Sequence, residues 1–160
     1  MARPNASYFT PGPRLLRWIS KTHLSLYEAT HGLLGAVIAQ RGEEGHGALR
    51  PMQVLLLGTT GRKSGLPRRT PLPYFQYDDR LFVIASNGAS DKHPDWYENL
   101  LATPEVRVQI AGAKLRATAA PLDGDERDSV WARHVAAWPR WGVYQARTSR
   151  RIPVVELRLG

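Results

Sequence analysis

The segment "EVRVQIAGAKLRATAA", residues 105–120, constrains the fold more than any other stretch of the chain. Val106, Val108 and Ile110 alternate with Arg107 and Gln109, and Leu115, Ala117 and Ala119 resume the same alternation after the turn signal "AGAK". A period of two places alternate side chains on one face, as a half-buried strand requires, so two strands over 105–111 and 114–120 form an antiparallel hairpin. Short apolar runs predict further strands at 52–59, 70–77, 80–86 and 152–159, with a second hairpin turning at Asp78 and Asp79.

Helical patterns interrupt the strands. From Arg14 onward, Leu15, Leu16, Ile19 and Leu26 share one face, while Arg14, Arg17 and Lys21 lie on another. A second helix starts near Pro94, whose fixed φ suits a first helical position, and runs through "DWYENLLA". A third follows Asp123, where Glu126 completes the pattern of a capping box, and carries Val130, Trp131 and Val135 towards Trp138. The resulting order is helix, three strands, helix, two strands, helix, strand. Few connections have the strand-helix-strand rhythm of a doubly wound sheet, so the expected fold class is an α+β barrel. With 160 residues the chain supports one core rather than two. Residues 1–13, with Pro4, Pro11, Gly12 and Pro13, read as a flexible arm, residues 14–160 as a single domain, and "RGEEGHG" at 41–47 as a connector.

A formal charge of +8 makes anions the expected partners, without choosing among nucleic acid, lipid and small acidic ligands. The absence of cysteine excludes disulfides and thiolate metal sites and suits a cytoplasmic setting. His23, His31, His46, His93 and His134 include no pair at the i, i+4 spacing of a helical metal site, so no metal is expected. The longest apolar stretch, residues 33–39, is far shorter than the roughly 20 residues that span a bilayer, and no secretory signal is expected. The cationic helix from Arg14 has the character of a peripheral membrane contact as well as of a helix covering a core, and the core reading is preferred.

Three segments carry candidate chemistry. "TTGRKSGLPRRTPL", residues 59–72, groups Arg62, Lys63, Arg68 and Arg69 between Gly61, Gly65 and two prolines. It is not a P-loop: Arg62 stands where the second glycine is needed, Leu57 where the first is, and "LPRRTP" cannot open a phosphate-binding helix. A turn between strands that presents cations and free N–H groups suits phosphate or carboxylate, although a solvated basic hairpin reads the same way. In "IASNGASDKHPDWYENL", residues 84–100, a strand ends in Ser86, Asn87 and Gly88, small residues that let a flat ligand approach the backbone. Trp96 has an ordinary core role as its alternative. In "AWPRWGVYQARTSRRIP", residues 137–153, Trp138, Trp141 and Tyr144 recur every three residues. Such a stripe is more often core than ligand wall. Here Pro139, Gly142 and the neighbouring arginines argue against deep burial and for a partly open aromatic wall.

In this order, "TTGRKSG" with "PRRTPL", "ASNGA" with "PDWYENL", "AWP" and "RRIPV" resemble the deazaflavin-dependent nitroreductases, the actinobacterial family of reductases that use coenzyme F420. The likeness runs from about Pro51 to Leu159, with Ala89 where the family has a second glycine. It implies a split β-barrel of the FMN-binding type and an 8-hydroxy-5-deazaflavin cofactor whose tail carries a phosphate and an oligoglutamate chain. By that resemblance Arg62, Lys63, Ser64 and Arg68 hold the tail, while Thr70, Pro71, Ser86, Asn87 and Gly88 line the ring. It further implies an oxidoreductase that passes hydride to a quinone, activated alkene or nitro compound. Tyr144 would then supply a proton or hydrogen bond, Ser86 would assist, and Trp138, Trp141 and Tyr144 would contact this small-molecule acceptor. Members that activate nitroimidazoles carry tyrosines at positions 138 and 141 and lysine at 87, so this chain departs from them at Trp138, Trp141 and Asn87. Two rival readings are a related barrel binding FMN or haem, and a basic nucleic-acid-binding module with tryptophans stacking on bases. No nucleic-acid motif accompanies the charge, so no nucleic acid is expected.

Overall fold

The computed structural model of the chain describes residues 38–41 and 49–160. The arm at 1–13 and the helix expected from Arg14 lie outside the described residues, as does most of the 41–47 connector.

Two short strands, β1 (Ile38–Arg41) and β2 (Leu49–Met52), pair antiparallel as a separate ribbon that the sequence pattern did not predict. The remaining strands are β3 (Val54–Thr60), β4 (Pro67–Tyr77), β5 (Arg80–Ile84), β6 (Glu105–Ile110), β7 (Ala113–Pro121) and β8 (Val154–Leu159). They close into an antiparallel barrel in the order β3-β4-β5-β8-β7-β6, with β6 returning to β3. The α+β barrel expected from the strand pattern is therefore observed. Closure leaves no exposed sheet edge in the barrel. Both predicted hairpins form: Asp78 and Asp79 have φ of 52° and 60°, while Ala111 and Gly112 have φ of 47° and 86°. Two consecutive left-handed residues match the twist of antiparallel strands.

Inward-facing residues fill the barrel in the predicted alternation, with Val106, Val108, Ala117 and Ala119 packed against Leu55, Leu57, Leu72 and Val83. Helix α1 (Asp95–Ala102) adds Trp96, Tyr97 and Leu100 to this core. Trp96, only 6% exposed, thus has the core role named as its alternative. Pro94 stands one position earlier than expected, as the cap before α1, where its carbonyl accepts from Tyr97 N and Glu98 N.

Helices α2 (Gly124–Ala137) and α3 (Arg140–Ala146) cover the outer side of β5 and β8, where Phe82, Ile84, Ile152 and Val154 are buried against Trp131, Val135 and Trp141. This double coverage explains why "LFVI" in β5 is a continuous apolar run rather than an alternating one. The capping box at Asp123 is not made. Asp123 accepts from Gly124 N at 2.7 Å, and Glu126 is drawn away by Arg80, which donates to it at 2.7 Å. Arg80 also donates to both oxygens of the buried Glu156, at 2.6 and 2.9 Å, so one guanidinium ties β5 to β8 and α2. Glu126 thus faces the full charge of a guanidinium, whereas a reach back to the helix start would offer it a single backbone N–H.

Candidate functional site

The turn between β3 and β4 is tighter than the sequence suggested. Strand β4 begins at Pro67, so Arg68 and Arg69 are strand residues paired with Thr59 and Gly58, and alternation sends their side chains to opposite faces. The same alternation separates Thr70 from Pro71. Only residues 61–66 form the turn itself. Gly61 donates to Leu66 O at 2.8 Å, and its carbonyl accepts from Ser64 N at 3.2 Å and Gly65 N at 2.7 Å. Gly65 uses its freedom, with φ of 66°. Gly61 is needed for space instead: a Cβ there would lie 2.8 Å from Ser64 Oγ. Ser64 Oγ in turn accepts from Leu66 N at 3.3 Å and from Arg68 Nη2 at 3.5 Å.

Helix α1 anchors this turn through a residue the sequence reading did not single out. Asn99, 5% exposed, accepts from Arg62 N at 3.0 Å and donates to Thr59 Oγ1 at 3.3 Å. Its signal was a polar residue within the apolar face of "WYENLL". Among the described residues the Arg62 guanidinium reaches only Asp95, at 3.5 Å, and that carboxylate is almost fully exposed. Such a contact is weak and leaves the cation available. Arg62, Lys63, Ser64 and Arg68 are all exposed, so the backbone is fixed while the cations face solvent.

Beyond β5 the chain makes an unusual turn. Asn87, Gly88 and Ala89 have φ of 47°, 63° and 63°, three left-handed residues in succession. Asn87 Nδ2 donates to Lys92 O at 2.9 Å. Arg150 holds the turn from the far side of the chain: it donates to Ser86 O at 2.6 Å, to Ser90 O at 2.7 Å and to His93 Nδ1 at 3.2 Å. Burial pushes the Arg150 pKa below its ordinary value. Thr148 donates to Asp91 at 2.8 Å, strapping the same loop. Ala89 and Ser90 amides turn inward to Ser86 O and Asn87 O. Arg150 belonged to the quoted "RRIPV" motif, but its reach across 64 positions could not be read from the chain.

The aromatic segment departs from the expected partly open wall at Trp141. Trp141 is buried, 7% exposed, against Ile84 and Ile152, whereas Trp138 and Tyr144 are half-buried. The reason lies in Gly142, whose absent Cβ would come within 3.2 Å of Val135 Cγ1. Glycine here allows α3 to close onto α2 and cover the indole, rather than marking an open segment. The Trp141 ring meets that of Tyr144 edge-on, with centroids 5.6 Å apart, and lies 5.4 Å from His134. His134 is buried, shares a 3.2 Å hydrogen bond with Tyr77 OH, and is pushed down to a pKa of about 4 by burial. On α3, Arg140 Nη2 donates to Tyr144 Oη at 2.9 Å.

Helix α1 and the bonds of Arg150 join these segments. Asn99 holds the basic turn to α1, and the 86–93 turn leads directly into that helix. Helix α3 packs on the 87–89 turn, while Gln145 accepts from Ile152 N and donates to Arg150 O. The aromatic helix and the Ser86 turn are therefore mechanically linked. A separate cavity of about 200 Å³, lined by Tyr77, Arg80, Phe82, Glu126 and Arg133, contains none of the candidate residues. Among the described residues there is no cluster able to hold a metal, and no helix is long and apolar enough to cross a membrane.

The model of the F420H(2)-dependent quinone reductase family matches residues 35–158. The chain belongs to that family. It is 33% identical over 154 residues to the F420H(2)-dependent quinone reductase of Mycobacterium tuberculosis, covering 91% of each chain. Among solved structures, an F420-H2 dependent reductase is 40% identical over 66% of this chain and 93% of its own, with a TM-score of 0.59. A structure described as a domain-swapped dimer is 31% identical over 90% and 99%, with a TM-score of 0.61. The haem storage protein HutZ of Vibrio cholerae, 18% identical over 67% and 81% with a TM-score of 0.50, shares the split-barrel fold alone. The chain is accordingly an F420H2-dependent reductase on a split β-barrel, and coenzyme F420 is its cofactor. The residues present fit such a group. The turn beside α1 offers cations free for a phosphorylated, carboxylated tail, and Ser86–Gly88 offers small side chains at the end of a barrel strand.

Proposed function

We propose that this reductase passes hydride from reduced F420 to a quinone, with activated alkenes and nitro compounds as further acceptors. In this reading Arg62, Lys63, Ser64 and Arg68 bind the tail, and Thr70, Ser86, Asn87 and Gly88 border the ring, with Pro71, whose side chain lies on the opposite face of β4, meeting it only through its backbone. The bound cofactor supplies a two-electron hydride donor. The protein orients it, leaves one face open and stabilises charge developing on the acceptor. Trp138 and Tyr144 contact the acceptor, Ser86 assists, and buried Trp141 acts from behind by fixing the Tyr144 ring. The expected single domain and cytoplasmic setting belong to this reading, with quinones met in solution or at a membrane surface.

The observation that carries the proposal is the β3–β4 turn, whose backbone is held by Asn99 while its cations remain exposed. A merely solvated hairpin does not require a buried asparagine to fix it. Lys63→Ala and Arg68→Ala are each expected to weaken F420 binding about 5- to 30-fold, the worth of an exposed charge-assisted contact to an anion. Binding of a tail-less deazaflavin should be little changed. Equal losses for both ligands, or none for either, would remove the tail-binding role.

A further inference from the structure

The geometry points to Arg140 as a positioning residue that prepares Tyr144 as a proton donor and compensates the phenolate left after transfer. This rests on the proposed role of Tyr144. Arg140 and Tyr144 lie at i, i+4 on α3, neighbours on one face of the helix. The guanidinium donates to Tyr144 Oη at 2.9 Å, and its central carbon lies 5.4 Å from the ring centroid. Both are half-buried.

Guanidinium has five donors and no acceptor, so the phenol oxygen must accept in this bond. The O–H hydrogen is then turned away from Arg140 and remains available to another group. Trp141, buried and edge-on to Tyr144, restricts the ring from one side while Arg140 holds its oxygen. Among the described residues no carboxylate pairs with Arg140, unlike Arg80, Arg133 and Arg151, which all have acidic partners. Among the described residues, the charge of Arg140 is thus directed at Tyr144. Position 140 is not among those that the family likeness assigned to the site.

The balance is simple. A quinone takes a hydride, two electrons and one proton, from reduced F420 and becomes a quinol monoanion. Its second proton comes from the Tyr144 O–H bond, whose electron pair stays on oxygen as a phenolate beside the Arg140 cation. The proton that reduced F420 sheds on losing hydride passes to solvent and solvent returns one to Tyr144, so the net change is quinone plus reduced F420 to quinol plus oxidised F420. A fixed cation at the place where the negative charge develops lowers the barrier without reorganisation.

The test compares Arg140→Leu, Arg140→Lys, Tyr144→Phe and the Arg140→Leu/Tyr144→Phe double variant, with menadione as acceptor and saturating reduced F420. Loss of a positioned proton donor costs about 100-fold or more in kcat. Tyr144→Phe should show such a loss, and Arg140→Leu a loss of about 10- to 100-fold with KM and the F420 Kd little changed. In the Tyr144→Phe background the further effect of Arg140→Leu should be less than about twofold, because the two groups act as one unit. Arg140→Lys, which keeps the charge but not the fork, should recover part of the rate. Independently of turnover, the Cζ resonance of Tyr144 in cofactor-free protein labelled with 13Cζ-tyrosine should move in Arg140→Leu. Full turnover of Tyr144→Phe would overturn the donor role of Tyr144 and the inference with it. Loss in Tyr144→Phe but not in Arg140→Leu, or equal loss on Arg140→Leu in both backgrounds, would overturn the inference alone.

Discussion

Arg150 is expected to control cofactor affinity without being a ligand. The turn it clamps holds Asn87 and Ala89 at positive φ, and a non-glycine residue in that region costs roughly 1–2 kcal/mol. Something must hold the turn against relaxation. The two carbonyl contacts of Arg150, at 2.6 and 2.7 Å, are charge-assisted and are worth about 1.5–3 kcal/mol each. Ser86 O keeps its bond from Ala89 N at 2.9 Å when Arg150 is removed, which reduces the net loss to about 3–4 kcal/mol. If half to two-thirds of that appears as relaxation of the turn, the binding-competent fraction falls and apparent F420 Kd rises about 15- to 100-fold in Arg150→Met. Arg150→Lys should lie between, since one ammonium cannot replace a fork that spans both carbonyls. The assay is quenching of tryptophan fluorescence by oxidised F420, paired with hydrogen exchange at the amides of Ala89 and Ser90. An Arg150→Met protein that binds within threefold of the parent, with exchange unchanged at those amides, would refute the clamp.

Ala89→Gly should stabilise the protein by about 0.5–1 kcal/mol, the left-handed strain relieved less the extra backbone entropy of glycine, raising the melting temperature by about 1–4 °C; an unchanged or lower value would count against strain at this position. Acid should destabilise the fold in two windows. Burial depresses the His134 pKa to about 4, so between pH 6.5 and 4 the unfolded chain takes a proton that the folded one refuses, losing about 3 kcal/mol. Hydrogen bonding from Arg80 chiefly, and from Arg158, holds Glu156 at about 2, so its contribution is present above pH 4.5 and is lost towards pH 2, again by about 3 kcal/mol. Denaturant unfolding at pH 7, 5 and 3 would show both losses, and stability that is flat between pH 7 and 5 would contradict the His134 assignment.

The barrel was legible because its strands are short and half-buried, which leaves the period of two visible in β6 and β7. Where both faces are covered, as in β5, only the apolar run remains, and its outer partners on α2 and α3 cannot be inferred from it. The candidate site was legible in its residue types and less so in its geometry. Glycine is ambiguous in a sequence. Gly65 serves a left-handed turn, Gly61 leaves room for Ser64 Oγ, and Gly142 lets two helices touch, yet all three look like breaks in a pattern. The misplaced expectation for Trp141 came from that ambiguity. Arg68 and Arg69 were similarly read together because strand β4 could not be seen to extend through "PRR". Arg150 and Asn99 act across long sequence separations, so their partners become visible only when the barrel closes.

The most direct test of the central claim is to mix the purified protein with reduced F420 and menadione and follow the return of the oxidised deazaflavin absorbance. If the reductase passes hydride to quinones, oxidation requires both protein and menadione, saturates with each, and weakens as salt screens the basic turn. Failure to oxidise reduced F420 with menadione or any other quinone, despite tight cofactor binding, would contradict the assignment of hydride transfer to quinones.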